Sequence, residues 1–512
     1  MVAKLYSVAI TGIDAEIIEV ELDAKPAGTL SYKIIGLPDS GVREAMERVQ
    51  SAIRNCGYDY PRGRVVANLA PAEIRKEGAL YDLPLALAMI LQTGNLQSDL
   101  LDRYLVLGEL SLSGEVRPAR GVIAAAIIAE QRGFAGLIIP AANAAEAAFM
   151  RDKITIAPVE NLTAAVGFIS GAVAGAVAPT LPDFDPTAAD TAESPLCFSD
   201  VRGQEAVKRA LEIAAAGGHN ILMMGPPGSG KTMCAQRLPT ILPDLTYVEA
   251  LEATKIHSVA GELRPGQGLL RRRPFRSPHH SASAAGLIGG GATPRPGEIS
   301  LAHNGVLFLD EAPEFPRPLL ETLRQPLEDG EITISRAAGS SRYPANIMLV
   351  LSMNLCPCGK RGTRQICRCS PFEIERYAGK LSAPLLDRVD IHIDAPVVKY
   401  EELRGRRSGE KSAVIRGRVT AARAVQQARF PQKATPINAR MTAAEIEKFC
   451  PLTAEGEALL KNAINRLGLS ARAGTRVLKV ARTIADLAGA AVIAPTHLAE
   501  AIQYRVLDKP SE

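Results

Sequence analysis

The sequence has no large excess of charge of either sign, no apolar run at its start and no charge-free stretch fit to span a membrane. Lys and Arg number 59 against 55 Asp and Glu, for a net charge of +4. That balance excludes a polycation that coats nucleic acid indiscriminately, so any nucleic-acid surface must be local. Met1-Val2-Ala3-Lys4-Leu5-Tyr6-Ser7 runs into polar and acidic residues before an apolar core forms. A signal peptide is therefore not expected, and a cytoplasmic location is. Leu162 to Pro182 carries no charge, yet it is mostly Ala and Gly with Pro179 and Pro182, a composition that argues against a membrane span. Disulfides are not expected of the eight cysteines in a reducing compartment.

What is present is ordinary globular composition, 47% hydrophobic and 22% charged over 512 residues, enough for several domains that each bury a core. Residues 1–169 mix strand-like stretches such as Val65-Val66-Ala67-Asn68-Leu69 with buried-helix stretches such as Leu83 to Leu91, which reads as one α/β domain. Residues 170–199 are rich in Ala, Gly, Pro and Thr with Asp183, Asp185 and Asp190 and read as a linker. Over 200–396, apolar strands at Asn220 to Met224 and Val306 to Leu309 alternate with helical stretches, the pattern of a doubly wound parallel sheet that binds ligands at the carboxyl ends of its strands. Residues 397–512 hold helical patterns, Thr442 to Phe449 and Arg476 to Ala491, with Lys and Arg on the polar faces. This reads as an all-α lid.

Gly225-Pro226-Pro227-Gly228-Ser229-Gly230-Lys231-Thr232 follows an apolar strand and precedes a helical stretch. In that context the glycines let backbone N–H groups wrap phosphates, Lys231 supplies a point charge to the β and γ oxygens, and the Thr232 hydroxyl ligates magnesium. The strand Val306-Leu307-Phe308-Leu309 ends in Asp310-Glu311. Asp310 can hold the magnesium shell while Glu311 polarises the attacking water. A third apolar strand ends at Asn354, whose amide can orient that water, and Arg388 lies near a predicted domain edge.

Three further features carry chemistry. Cys356-Pro357-Cys358 and Cys367-Arg368-Cys369 are two C-x-C pairs separated by eight residues; four thiolates satisfy tetrahedral Zn²⁺, with free thiols as the alternative. Arg271-Arg272-Arg273-Pro274-Phe275-Arg276 precedes a Gly-rich run and suits a sugar-phosphate backbone through Arg273 and Arg276, or forms a solvated basic loop. Gly330 to Arg336 and Ser341 to Pro344 alternate around Ala337-Ala338-Gly339-Ser340, which reads as a hairpin flanked by Arg336 and Arg342.

These residues resemble the magnesium-chelatase-like AAA+ proteins of the ComM (YifB) type, over nearly the whole chain. The resemblance implies a P-loop NTPase core using ATP and Mg²⁺ and assembled as a hexameric ring. It assigns Asn354 to sensor 1, Arg388 to an arginine finger entering the neighbouring subunit's site, and Arg472 to sensor 2. Arg476 lies four residues on, on the same helix face, and is the alternative. The basic loop then falls where the family inserts a loop towards the pore, and the hairpin resembles the pre-sensor 1 hairpin of replicative MCM helicases. Residues 107–118 place the N-terminal domain near the Lon-type proteases. The lysine of a Ser-Lys dyad is replaced by Ile123, and the serine region reads Gly78-Ala79-Leu80-Tyr81-Asp82-Leu83-Pro84, so proteolysis is not expected. By resemblance the function is ATP-driven branch migration during natural transformation, on single-stranded or branched DNA without sequence preference, with recombination proteins as further partners. A chelatase-like ATPase that remodels a protein partner is the alternative, and a peptidase coupled to an unfoldase is a third reading.

Overall fold

The computed structural model describes residues 2–25, 31–94, 96, 98, 100–171, 195–291, 294–336, 339–398, 409–467 and 470–505. Most of the expected linker and the first residues of the expected lid, 172–194 and 399–408, lie outside them. The chain divides into two compact units, one made of Met1–Ala188, Thr246–Leu270 and Ser335–Tyr343, the other of the remainder.

The first unit is built on a seven-stranded mixed sheet. Its strands are β1 (Ala3–Thr11), β2 (Asp14–Lys25), β3 (Ser31–Ile35), β4 (Arg64–Ala70), β5 (Tyr104–Val106), β6 (Gly136–Pro140) and β7 (Thr155–Val159), in the order β3-β4-β2-β1-β5-β6-β7. β1 and β2 pair antiparallel; β2 alternates buried with more exposed residues, whereas β1 buries Ser7, Val8 and Ala9 in succession, with Ala9 in one core cluster and Val8 in another. The helix Ser40–Asn55 is amphipathic and buries Val42, Met46, Val49 and Ile53, whereas Asp82–Gln92 is apolar on nearly every face and lies inside the core.

Asp82 is fully buried at the start of that helix. Its carboxylate accepts from Arg48 Nε at 2.9 Å and Nη2 at 3.0 Å, and from the Leu110 N–H at 3.2 Å. Burial raises its pKa to about 6 against the opposing Arg48 charge. Residues 78–84 thus hold a carboxylate locked to a guanidinium, while Ile123 is a buried apolar residue.

The helix Tyr247–Ala260 belongs to this unit too and packs against Val122–Gln131. Its Ser258 hydroxyl hydrogen-bonds the buried Glu146 carboxyl and accepts from the Gly121 N–H at 2.9 Å.

The second unit carries five parallel strands, β8 (Ile221–Met224), β9 (Phe275–Arg276), β10 (Val306–Leu309), β11 (Met348–Met353) and β12 (Ile391–Asp394), ordered β9-β10-β11-β8-β12. β8, β10 and β11 are buried at every residue, because helices cover both faces of such a sheet. The C-terminal part is helical, with Ser412–Arg429, Ala443–Phe449, Ala454–Leu467, Ala471–Leu487 and Pro495–Gln503. The helix Ala471–Leu487 buries Val477, Val480, Ala481, Ile484 and Ala485 in one core with Ile221, Phe308 and Val350.

Its basic residues are not all on a solvated face, as the sequence pattern suggests. Arg482 is 2% exposed, bonding Asp486 at 3.0 Å and the carbonyls of Ala490 and Ala491. Carbonyls beyond a helix end that find no N–H make such a buried guanidinium affordable. No helix among the described residues is long and apolar enough to cross a membrane.

Candidate functional site

The parallel sheet ends at one edge in Gly225, Asp310 and Asn354, the residues that follow β8, β10 and β11. Gly225 has no room for a side chain: a Cβ would lie 2.1 Å from the Ala395 carbonyl oxygen. Gly228 and Gly230 turn the loop through φ of +78° and +90°, a backbone that L side chains avoid. Lys231 opens the helix Lys231–Arg237. Its ammonium is buried and donates to the carbonyls of Gly225 at 2.6 Å and Pro226 at 3.0 Å, and to Asn354 Oδ1 at 3.4 Å. Burial lowers its pKa, while the charges of Asp310 and Glu311 push it back up.

Thr232 Oγ1 donates to Asp310 Oδ2 at 2.6 Å, joining the hydroxyl and the carboxylate that a magnesium ion would share. The other Asp310 oxygen accepts from Ser352 Oγ and from the Glu311 N–H at 3.1 Å. Glu311 itself is exposed and sits at φ +50°. A non-glycine residue held there stores about 1–3 kcal/mol, which persists only when the surroundings over-determine it. Its N–H also reaches Ser352 Oγ at 3.0 Å, so the bend that lifts the Glu311 side chain off the sheet is fixed by its neighbour strand.

Two supporting residues are missed by sequence reasoning. Ser352 joins Asp310 to Glu311, and Gln204 donates to the carbonyls of Ser229 at 2.8 Å and Pro396 at 2.5 Å, clamping the loop from below. Ser352 reads as one more residue of a strand. The Gln204 signal is only the preceding glycine and its own position ahead of the helix Glu205–Gly217, where it adopts φ +56°.

Arg388 and Arg472 lie at the opposite edge. The Arg388 carbonyl accepts from Asn220 Nδ2 at 2.8 Å, just before β8 begins. The four residues of β8 alone separate this edge from the loop by roughly 13 Å. The Arg388 side chain is 8% exposed, donates to the Pro384 carbonyl at 2.5 Å and pairs with Glu328. Arg388, Arg440, Arg472, Arg476 and Lys479 line one cavity of about 360 Å³.

The two sensor 2 candidates differ sharply here. Arg476 is bound to the buried Asp390, which also meets His219 Nδ1 at 3.1 Å. Arg472 is 75% exposed, with Asp387 at 3.9 Å. Burial pushes the Asp390 pKa up, but the His219 hydrogen bond and the Arg476 charge outweigh it and hold it below the ordinary carboxylate value.

The cysteine sulfurs of Cys356, Cys358, Cys367 and Cys369 lie within 4.8 Å of one another. Cys356 and Cys358 are 3.4 Å apart, and Cys367 is 3.7 Å from both. Tetrahedral zinc with Zn–S of about 2.3 Å places sulfurs about 3.8 Å apart, so the donor set fits that ion. The Lys360 N–H holds the Cys358 thiol below its ordinary pKa, and the hydrogen bond with Cys358 pushes Cys369 up.

The residues offered as nucleic-acid contacts are less free. Arg276 forks onto Glu298 at 2.6 and 2.7 Å. Arg273 donates to the carbonyls of Pro243 at 2.8 Å and Asn304 at 2.9 Å. A phosphate would have to displace these partners. The hairpin expected around residues 337–340 is present as the strands Glu331–Arg336 and Gly339–Pro344, with Arg342 exposed. Residues 337–338 and the Arg336 side chain lie outside the described residues.

Fold and site together define a AAA+ nucleotide-hydrolysing module of the magnesium-chelatase type. Residues 197–403 match the family described as magnesium chelatase, subunit ChlI. Residues 18–143 match subunit ChlI of Mg-chelatase, and residues 409–505 the ChlI C-terminal family. Competence protein ComM of Haemophilus influenzae is 43% identical over 508 residues, 99% of this chain and 97% of that protein. YifB of Escherichia coli K12 is 43% identical over 507 residues, again 99% and 97%. The magnesium-chelatase 38 kDa subunit of Rhodobacter capsulatus is 28% identical over 176 residues, 31% of this chain and 49% of that one. The chain therefore belongs to the ComM-type magnesium-chelatase-like family of AAA+ proteins.

Proposed function

We propose that this protein is an ATP-driven motor that works on DNA as a hexameric ring in the cytoplasm, promoting branch migration of recombination intermediates. The observation that carries the motor reading is the cluster of Lys231, Thr232, Asp310, Glu311 and Asn354 at one edge of the sheet. Thr232 and Asp310 would hold Mg²⁺, whose charge would offset that developing on the phosphates. Lys231 draws the β and γ oxygens into the loop. Glu311 takes a proton from the attacking water, and the Asn354 amide orients that water.

Arg388 and Arg472 complete a neighbour's site rather than their own, since the whole length of β8 separates them from Lys231 in the same chain. To act, Arg388 must exchange Glu328 for a phosphate, a swap between two charge-assisted partners. Zn²⁺ at the four cysteines would be structural and would supply no chemistry to turnover.

The DNA part of the reading is supported by the full-length likeness to a protein named for competence and by the exposed Arg342 of the hairpin. Purified protein assayed with single-stranded, duplex, forked and four-way DNA tests it. DNA-stimulated ATP hydrolysis and ATP-dependent movement of a branch point are expected. Failure to bind any of these DNAs at low salt with ATP present would end it and favour a chelatase-like ATPase acting on a protein partner, the reading suggested by the matches to magnesium-chelatase subunits.

A further inference from the structure

The thiol loop touches the nucleotide loop. Only Leu355 separates Asn354 from Cys356, and Asn354 accepts from Lys231. Further along, Gly359 and Gly362 adopt φ of +72° and +79°. A Cβ on Gly359 would lie 2.9 Å from Pro227 Cγ. One on Gly362 would lie 3.0 Å from Leu355 Cδ1 and 3.8 Å from Pro226 Cδ. The backbone between the cysteine pairs therefore lies flat against both prolines of the phosphate-binding loop.

That stretch has little else to hold it in place. Lys360, Arg361, Arg364, Ile366 and Arg368 are exposed, and of the four cysteines only Cys356 is buried. Its internal bonds are short-range, from the Gly359 N–H to the Cys356 carbonyl at 3.1 Å and from the Arg361 N–H to Cys356 Sγ at 3.4 Å. Fixing each residue of such a loop costs about 1–2 kcal/mol, and no apolar core of its own offsets this. A metal cross-link between its two ends does.

We infer that the metal-bound tetrathiolate is a brace for ATP binding: it presses Gly359 and Gly362 onto Pro227 and Pro226 and fixes Asn354 against Lys231. The cysteines and both glycines are then positioning residues for the nucleotide, which they need not touch. This rests on the zinc reading given above. It follows that metal content and nucleotide affinity are coupled, although the ion itself never meets a phosphate.

Zinc content per chain and the Kd for a fluorescent ATP analogue, measured together in millimolar magnesium before and after a zinc-selective chelator, test this. Near-stoichiometric zinc is expected, and its removal should weaken the analogue by about tenfold, within the usual range of coupling between two sites. Re-addition of Zn²⁺ should restore the affinity. Because Cys358→Ser can fail to fold, Gly359→Ala is the second variant: it should keep its zinc and still lose affinity, since its new methyl meets Pro227. Absence of bound zinc, with no thiolate absorption on adding Co²⁺, would overturn the metal reading and the brace with it. Stoichiometric zinc with an unchanged Kd, both after chelation and in Gly359→Ala, would overturn the brace alone.

Discussion

The two edges of the five-stranded sheet are built from opposite materials. At the carboxyl edge, Lys231 lies among two acids, Asp310 and Glu311, and two neutral groups, Thr232 and Asn354: it donates to Asn354 Oδ1 at 3.4 Å, while Asp310 accepts from Thr232 Oγ1 at 2.6 Å and from the Glu311 N–H at 3.1 Å. At the amino edge the side chains are mostly cations, with Arg388, Arg440, Arg472, Arg476 and Lys479 around one cavity. The first edge can hold a magnesium ion and activate water. The second carries five cations against Glu328, Asp387 and Asp390, an excess of positive charge suited to an anionic ligand. On the proposed reading each edge supplies the half of a phosphoryl-transfer site that the other lacks. In the proposed ring the amino edge of one copy would meet the carboxyl edge of the next.

The sharpest break in that comparison is Arg388→Ala. Steady-state hydrolysis should fall by about 10³–10⁵ with nucleotide affinity nearly intact. Mixing the variant with Lys231→Ala protein should restore part of the activity, because each supplies the edge that the other lacks. No rescue at any ratio would place Arg388 in its own chain's chemistry.

Glu311→Gln should reduce turnover by about 10²–10⁴ while ATP binding and assembly persist, since the carboxylate acts on water alone. Single-turnover hydrolysis at the parent rate would remove Glu311 from that role.

The Arg472 and Arg476 pair tests whether the amino edge divides into a functional and a structural half. Arg472→Ala should slow turnover by about 10²–10³ without changing thermal stability. Arg476→Ala leaves the buried Asp390 short of its cation and should cost about 3–5 kcal/mol of stability, read by denaturant unfolding. The same carboxylate makes this pair pH-dependent. Its folded pKa lies below the unfolded value, so its contribution is complete above the ordinary aspartate pKa of about 3.9 and is lost as pH falls below that value. Acid unfolding of Asp390→Asn should accordingly have a shallower pH dependence than that of the parent protein.

The smallest effect tests whether either edge is coupled to DNA. Arg336→Ala with Arg342→Ala should lower the salt slope of DNA binding by about one unit per lost phosphate contact. Basal hydrolysis should stay put, and DNA stimulation should fall. An unchanged slope with intact unwinding would make the hairpin a structural element.

The phosphate-binding loop was legible because its chemistry is local. Gly225 to Thr232 carries its own turn residues, charge and hydroxyl within eight consecutive positions, and periodicity alone shows that a buried strand precedes it. Asp310-Glu311 and the four cysteines were legible for the same reason. Nothing local says which neighbour completes a group. Ser352 looks like strand filling until β11 brings it beside Asp310, and Gln204 becomes a clamp only when Ser229 and Pro396 converge on its amide. Arg472 and Arg476 are indistinguishable by helical spacing. The fold separates them by placing the buried Asp390 under one and solvent around the other. Arg482, read as part of a polar helix face, is buried because the chain beyond the helix turns back two carbonyls onto it. The sequence by itself determined the nucleotide chemistry and the alternation of strand and helix, both of which depend on residues close together in the chain. Only the tertiary structure decided which arginines are spent on partners and which are free to act, because burial and charge pairing depend on residues far apart in sequence.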